Sequence, residues 1–230
     1  MRAEPDVTGR EPASWGSAEF VAAWLEQDVL DDMLALPRRL SAALVADAGA
    51  PVGHVVDLGA GAGGFLATLL EAFPRARGTW VDASPTMEAA AREELAGFDD
   101  RVEYRLWDIE DLRGLELEPA QVVVTSRVVH HFGGGSIQRF YRAVHELLVP
   151  GGFMFNLDHF GSPDGWEARY RRIRPLFTGR PKRRLAPHRH DHPLLPIPDH
   201  LAWLWEAGFE MPDVPWRTFY TALLAARRPS

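Results

Sequence analysis

The amino-acid sequence predicts an α/β domain in which helices cover both faces of a mostly parallel sheet. Three observations carry that expectation. From residue 54 onward, short apolar runs alternate with stretches of helical periodicity, the pattern of repeated βαβ units with right-handed crossovers. The first run passes straight into a turn with four glycines among residues 59–64. The run QVVVTS at 121–126 is almost unbroken and β-branched, as expected of a central parallel strand buried on both sides.

The elements follow in order. The first ~14 residues are polar with two prolines and lack the apolar content to order themselves. Phe20-Val21, Trp24-Leu25, Val29-Leu30 and Met33-Leu34 recur at helical spacing. A second helix is expected after Pro37, to about Asp47. Residues 1–48 thus read as a tail and capping helices, and 49–230 as the main domain.

HVVDL (54–58) is the first strand, Phe65 to Phe73 a helix stopped by Pro74, and GTWVD (78–82) the second strand. Ser84 can cap the next helix with Pro85 at its first position, and Gly97 lies just past its end. VEYRLW (102–107) and QVVVTS are strands three and four. Ser136 opens a helix to Leu148, and Pro150-Gly151-Gly152 turns into strand five, FMFNLD (153–158). Residues 160–197 break the rhythm with a basic helix, Trp166 to Phe177, and a loop rich in proline and histidine. A long loop in a compact domain is usually functional or disordered. Ile197 to Ala207 is helical up to Gly208. Strands at about 209–216 and 218–226 pair as an antiparallel hairpin.

The 230 residues include no cysteine, so disulfides and thiolate metal sites are excluded. No apolar run reaches the ~18 residues that would span a bilayer. The first residues carry no apolar leader, so the chain is expected in the cytoplasm. A net charge of -7 argues against general nucleic-acid binding. The charge is uneven, however: Arg169, Arg171, Arg172, Arg174, Arg180, Lys182, Arg183, Arg184 and Arg189 crowd one segment. It reads as a solvated face or as a patch for an acidic acceptor.

The glycine turn brings a ligand against bare backbone, beside the crevice where strand order reverses. Gly59-x-Gly61-x-x-Gly64 satisfies the dinucleotide fingerprint, and Asp82 lies where the ribose-binding acid should be. A nicotinamide oxidoreductase is therefore a competitor. Asp57 counts against it, because a carboxylate beside the turn suits a cationic amino group and repels a pyrophosphate. Met87, at the start of the following helix, can wall an adenine or simply pack. Asp108-Ile109, after the third strand, can contact an adenine edge, or Asp108 can cap the turn.

On these segments the sequence resembles the class I S-adenosylmethionine-dependent methyltransferase family. VVDLGAGAGGF is similar to its first motif, with a glycine pair at 63–64 as a departure. WVDASPTM is similar to its second, WDIED to its adenine-contacting motif, and VVVTSRVVHHF to its fourth. LVPGGFMF and the segment HLAWLWEAGFEMPDVPWRTFYTALLAARRP complete the likeness, which covers about residues 50–160 and 195–228. It implies a Rossmann-like sandwich with seven strands in the order 3-2-1-4-5-7-6, strand seven antiparallel. It implies S-adenosyl-L-methionine as cofactor and S-adenosyl-L-homocysteine as product. By the resemblance, Gly59 and Gly61 abut the methionine portion and Asp57 its ammonium. Asp82, with Ala83 beside it, holds the ribose. Asp108 accepts from the adenine amino group, and the Ile109 backbone faces the ring. Ser126 and Arg127 line the floor under the sulfonium.

His131 and His130 follow strand four at the carboxyl edge of the sheet, and either can remove a proton near neutral pH. Alternatively, one caps the local turn and the other packs beside Phe132. His188, His190 and His192 would share a face if extended; the segment is read as solvated loop or lid, and no metal is assigned. Trp15, Trp24 and Met33 of the N-terminal helix can close the pocket or pack in the core. The expected function is methylation of a small molecule, with oxygen favoured because of the histidines and secondary metabolism as the setting. The alternatives are an NAD(P)-dependent oxidoreductase and a non-catalytic cofactor-binding subunit. Monomer and homodimer stay open.

Overall fold

A computed structural model describes residues 32–163, 165–178 and 192–230. The first expected helix up to residue 31, with Trp15 and Trp24, lies outside the described residues, as do Arg180 to Asp191 with His188 and His190.

Seven strands form one sheet: β1 (His54–Leu58), β2 (Arg77–Asp82), β3 (Val102–Leu106), β4 (Ala120–Ser126), β5 (Leu148–His159), β6 (Glu210–Thr218) and β7 (Thr221–Arg227). Their order is β3-β2-β1-β4-β5-β7-β6, as expected. The first five run parallel, and β7 is antiparallel to both β5 and β6. The helices are α1 (Ala35–Asp47), α2 (Gly64–Ala72), α3 (Pro85–Glu94), α4 (Gly134–Leu147), α5 (Trp166–Ile173), α6 (Pro175–Thr178) and α7 (Ile197–Glu206).

Alternation along the strands divides the core in two. Val56, Leu58, Val123 and Met154 point to the face covered by α4 and α7, where Phe140, Val144 and Leu204 meet them. Val55, Val122, Val124 and Phe155 point to the other, against Val45 of α1, Leu66 and Leu69 of α2 and Ala91 of α3. Because both faces are covered, the central strands carry apolar side chains at nearly every position.

Local chemistry sets the ends of the elements. Ser84 Oγ accepts from the Met87 amide at 3.3 Å, with Pro85 opening α3. Helix α1 begins at Ala35, two residues before Pro37, because a proline in the first turn forfeits no internal hydrogen bond. The helix expected over 166–177 is two helices, α5 and α6, parted at Arg174 because Pro175 has no amide to continue the first. Strand β5 starts at Leu148 rather than 153. Pro150-Gly151-Gly152 is a register irregularity within it, with Gly151 at φ +79°, and not a turn ahead of it. Pro212 and Pro215 lie in β6, at the sheet edge, where missing amides are tolerated. The inserted segment closes at its base: Gly161 bridges to Pro196, and its amide donates to the Leu195 carbonyl at 2.8 Å.

One buried polar network links α4, β5 and α7. Asn156 Nδ2 donates to the Tyr141 hydroxyl at 3.1 Å, and that hydroxyl pairs with His200 Nδ1 at 2.7 Å. Burial lowers the His200 pKa to about 4 from 6.5 and raises that of Tyr141. His200 therefore stays neutral where the unfolded chain would take up a proton. Its contribution to stability is complete above pH 6.5 and shrinks as pH falls towards 4. Denaturation in urea at pH 7.5 and pH 5 is expected to show a smaller acid loss in His200→Gln than in the native chain; equal losses would refute this assignment. Tyr141→Phe should cost about 1–3 kcal/mol at neutral pH, since it strands buried partners.

Candidate active site

The glycine turn is pinned to the neighbouring strand. The amides of Gly59 and Ala60 both donate to the Val81 carbonyl, at 2.8 and 3.0 Å, and Trp80 Nε1 donates to the Gly61 carbonyl at 2.8 Å. Gly59, Gly61 and Gly63 have φ of +71°, +53° and +85°, where side chains are strained. A Cβ on Gly59 would sit 2.6 Å from Val128 Cγ2, and one on Gly63 2.8 Å from Leu95 Cδ1. A Cβ on Gly61 would meet nothing within 4 Å. Gly59 and Gly63 thus answer to packing, whereas Gly61 answers to backbone conformation beside open space. The glycine pair also has a cause: Gly63 makes the left-handed turn, and a Cβ on Gly64 would lie 2.9 Å from Arg38 Nη1.

Two carboxylates flank this turn. Asp57, in β1, is enclosed at 1% exposure, and neither of its oxygens has a hydrogen-bond partner among the described residues. Burial pushes its pKa up to about 7, opposed by the Arg38 charge and the Leu66 amide. Asp82, the last residue of β2, accepts from the Gly61 amide at 2.9 Å and the Ser84 amide at 2.9 Å. Burial raises its pKa too, against the Ser84, Gly61 and Ala83 amides. Ala83 itself is exposed.

Other residues expected at the cofactor occupy varied settings. Met87 is buried with Leu66, Ala91 and Leu95 on the α3 side. Asp108 is exposed, and its Oδ1 accepts from the Glu110 amide at 3.0 Å, which is the turn-capping alternative. The Ile109 side chain is buried, and its Cδ1 would lie 3.1 Å from a Cβ on Gly59. At the end of β4, Ser126 Oγ is buried with no hydrogen-bond partner. Arg127 has φ +57°, and its amide donates to the Leu157 carbonyl at 3.0 Å.

Beyond Arg127 the chain makes a short 3-10 turn, Val129–His131, that carries both histidines. His130 is buried, and Asp158 at the end of β5 grips it twice. One carboxylate oxygen meets His130 Nδ1 at 2.5 Å, and the other accepts the His130 amide at 3.0 Å. The amide of His159 donates to Asp158 as well, at 2.8 Å. Burial alone would raise the Asp158 pKa, but His130 and these donors hold it well below the usual carboxylate range. Since Asp158 is ionised, His130 Nδ1 carries the proton and Nε2 is the basic nitrogen. The His131 ring lies against that of His130 with centroids 4.0 Å apart. His159, 5.2 Å from His130, pairs through Nδ1 with Thr221 Oγ1 at 3.0 Å. Burial first, and then the His130 charge, holds its pKa well below the usual histidine value.

Sequence reasoning missed Asp158 and His159 as site residues. A signal existed: Asp158 is an acid at the end of an apolar strand run, as Asp57 is in β1. His192, of the expected three-histidine face, is exposed and has its ring within 3.3 Å of where a Cβ on Gly133 would stand.

Comparison with known proteins agrees with this geometry. Residues 56–154 match the family model of a methyltransferase domain. The squalestatin tetraketide synthase of a Phoma species is 30% identical over 111 residues, which is 44% of this chain and 4% of that synthase. Among solved structures, an O-methyltransferase family protein from Burkholderia thailandensis is 22% identical with a TM-score of 0.67, over 93% of this chain and 58% of that one. Human N-acetylserotonin methyltransferase, in complex with S-adenosylmethionine, is 18% identical with a TM-score of 0.67, over 95% of this chain and 58% of its own. The chain thus spans a small part of the synthase and less than two thirds of both solved chains. The sheet order and the glycine turn set between the buried Asp57 and the part-buried Asp82 are consistent with the methyltransferase-domain match over residues 56–154, which spans less than half of the chain.

Proposed function

We propose that the protein methylates a small molecule at oxygen, with His130 as general base and Asp158 as its positioning partner. The observation that carries this reading is the buried Asp158–His130 contact at 2.5 Å, on the carboxyl edge of the sheet next to the glycine turn. A base is needed only where the acceptor must lose a proton, as a hydroxyl does.

The residues present fit S-adenosyl-L-methionine. Asp57 is a buried acid with both oxygens unpartnered, so a cationic amino group supplies what it lacks. Asp82 is preset by two backbone amides and keeps acceptor capacity for ribose hydroxyls. Gly61 leaves open space beside bare backbone. When bound, the cofactor supplies an electrophilic methyl group on sulfur. Ser126 and Arg127 border its position, and the Asp108 and Ile109 backbone faces the adenine side. Met87 serves the core. In this proposal residues 49–230 hold the cofactor, while residues 1–48 and 160–197 flank the acceptor.

His130 takes the acceptor proton on Nε2, and the ionised Asp158 stabilises the resulting imidazolium through Nδ1–H. Similarity to a tetraketide synthase supports a setting in secondary metabolism. An oxidoreductase is disfavoured because Asp57 would face a pyrophosphate.

Two measurements test this. Calorimetric titration with S-adenosylhomocysteine should show at least about tenfold weaker binding for Asp82→Ala, on the scale of two charge-assisted hydrogen bonds. Affinity should rise with pH through about 7, because the ionised Asp57 is the form that attracts an ammonium, and Asp57→Asn should flatten that profile. Equal binding by native and Asp82→Ala chains would remove the site map. Acceptor screening with a labelled methyl donor then tests the base. His130→Gln and Asp158→Asn should each lower kcat by roughly 10²–10⁴-fold with cofactor affinity retained, and His131→Gln should not. Cofactor binding without turnover on any acceptor would instead indicate the non-catalytic subunit. The carbon-13 shift of the transferred methyl separates oxygen from nitrogen or carbon as its destination.

A further inference from the structure

We infer that the acceptor is a planar aromatic molecule bearing an acidic group, and that it lies along an aromatic wall built from α5, α6 and the β6–β7 turn. This rests on the methyltransferase reading above and adds the chemical class of its acceptor.

Helix α5 carries Trp166, Tyr170 and Ile173, yet none of its residues is buried. An amphipathic helix normally turns such a face to the core. Here the face joins a run of rings at the surface. Trp166 meets Tyr170 at 5.6 Å between centroids, Tyr170 meets Phe219 edge-on at 5.8 Å, and Phe177 meets Phe219 at 5.8 Å. Trp166 and Phe177 remain 49% and 76% exposed. An exposed cluster of this kind marks a binding surface more often than chance.

Phe219 has φ of +56°, a left-handed conformation that is costly for a bulky side chain. Such strain is a feature of binding sites when the surroundings hold it in place. The turn that carries it is held firmly: the Tyr220 carbonyl accepts from the Phe160 amide at 2.8 Å, and the Tyr220 hydroxyl accepts from Arg174 Nη1 at 2.5 Å.

The wall leads to the proposed base. Tyr220 packs edge-on against His159 at 5.2 Å, and His159 lies 5.2 Å from His130. The turn that carries the wall is thus joined to the proposed base through the Tyr220 and His159 rings. Charge points to the second half of the class. The helix and its end carry Arg169, Arg171, Arg172 and Arg174 against one acid, Glu167, in a chain of net charge -7. Glu167 is already paired with Arg171 at 2.6 Å, and the Arg169 guanidinium lies over Trp166 at 5.3 Å. Ring faces favour stacked aromatics, and the guanidinium over Trp166 favours a carboxylate.

The test uses the full chain with saturating S-adenosylhomocysteine and 1-hydroxy-2-naphthoate as fluorescent probe, read by anisotropy. Trp166→Ala and Phe177→Ala should each weaken the probe about three- to tenfold. Cofactor affinity and Tm should stay unchanged, because both side chains are exposed. Arg169→Gln should weaken the naphthoate and leave 1-naphthol unaffected. Decanoate should compete poorly. The proposal is overturned if S-adenosylhomocysteine binds normally while the naphthoate does not bind, binds all variants alike, or is displaced equally well by decanoate. It is also overturned if the wall instead forms a concentration-dependent dimer that Phe177→Ala dissolves. Failure of the native chain to bind S-adenosylhomocysteine would remove the methyltransferase reading beneath it.

Discussion

A carboxylate enclosed at the end of an apolar strand, with too little around it to offset its burial, is the constraint on which this site turns. Asp57 lies in β1 between Val56 and Leu58, enclosed at 1% exposure, and neither of its oxygens makes a well-formed hydrogen bond among the described residues. Desolvation of an unpaired carboxylate costs several kcal/mol, which a protein escapes by protonating the group or by providing a cation. The rise of its pKa to about 7, driven by burial, corresponds to the first escape. The ammonium of the proposed cofactor would provide the second. The turn after it follows from the same place: Gly59 must carry no side chain because Val128 fills the space, and the Val81 carbonyl fixes the next two amides. Strand, turn and acid therefore act as one unit.

Asp158 is the contrasting case. It is equally enclosed, at the end of β5, but three donors surround it: the His130 ring, the His130 amide and the His159 amide. Its charge is therefore kept and its pKa falls, where that of Asp57 rises. The same residue type in the same kind of position thus does opposite work. An unpartnered acid awaits a cation, whereas a saturated acid holds a neighbouring imidazole in one tautomer. Burial is common to both, so partners and not depth decide the outcome.

Much of this was legible in the sequence, for identifiable reasons. The central parallel strands announce themselves because both sheet faces are covered, which forces apolar side chains at successive positions such as 122–124. The cap of α3 is local chemistry, Ser84 with Pro85, and needs no tertiary information. The Pro150-Gly151-Gly152 irregularity was not legible, because those residues suit a turn equally well and only pairing to β4 decides. The break at Pro175 was open to local reasoning and was overridden by the apolar periodicity around it. At the site, Asp82 and the glycines are legible from spacing. The His130–Asp158 pair is not, because its members are separated by a whole helix and meet only through the adjacency of β4 and β5. Choosing between His130 and His131 likewise depends on which ring Asp158 reaches.

The two halves of the site are mounted differently, and the mounting constrains how they can change. The proposed cofactor side rests on β1, β2 and α2, whose side chains are core residues; Val55, Leu58, Trp80 and Leu66 are all fully enclosed. A substitution there disturbs packing as well as binding, at roughly 2–5 kcal/mol for a large-to-small change. The wall on α5 and α6 contributes no buried residue from its longer helix, so exchange of Trp166 or Phe177 carries little folding penalty. Tyr220, which accepts from the Phe160 amide just past β5 and from Arg174, links wall and core. On the proposed reading, a fold arranged in this way can keep one methyl donor while its acceptor changes, because the residues assigned to the acceptor are nearly independent of those that hold the sheet together.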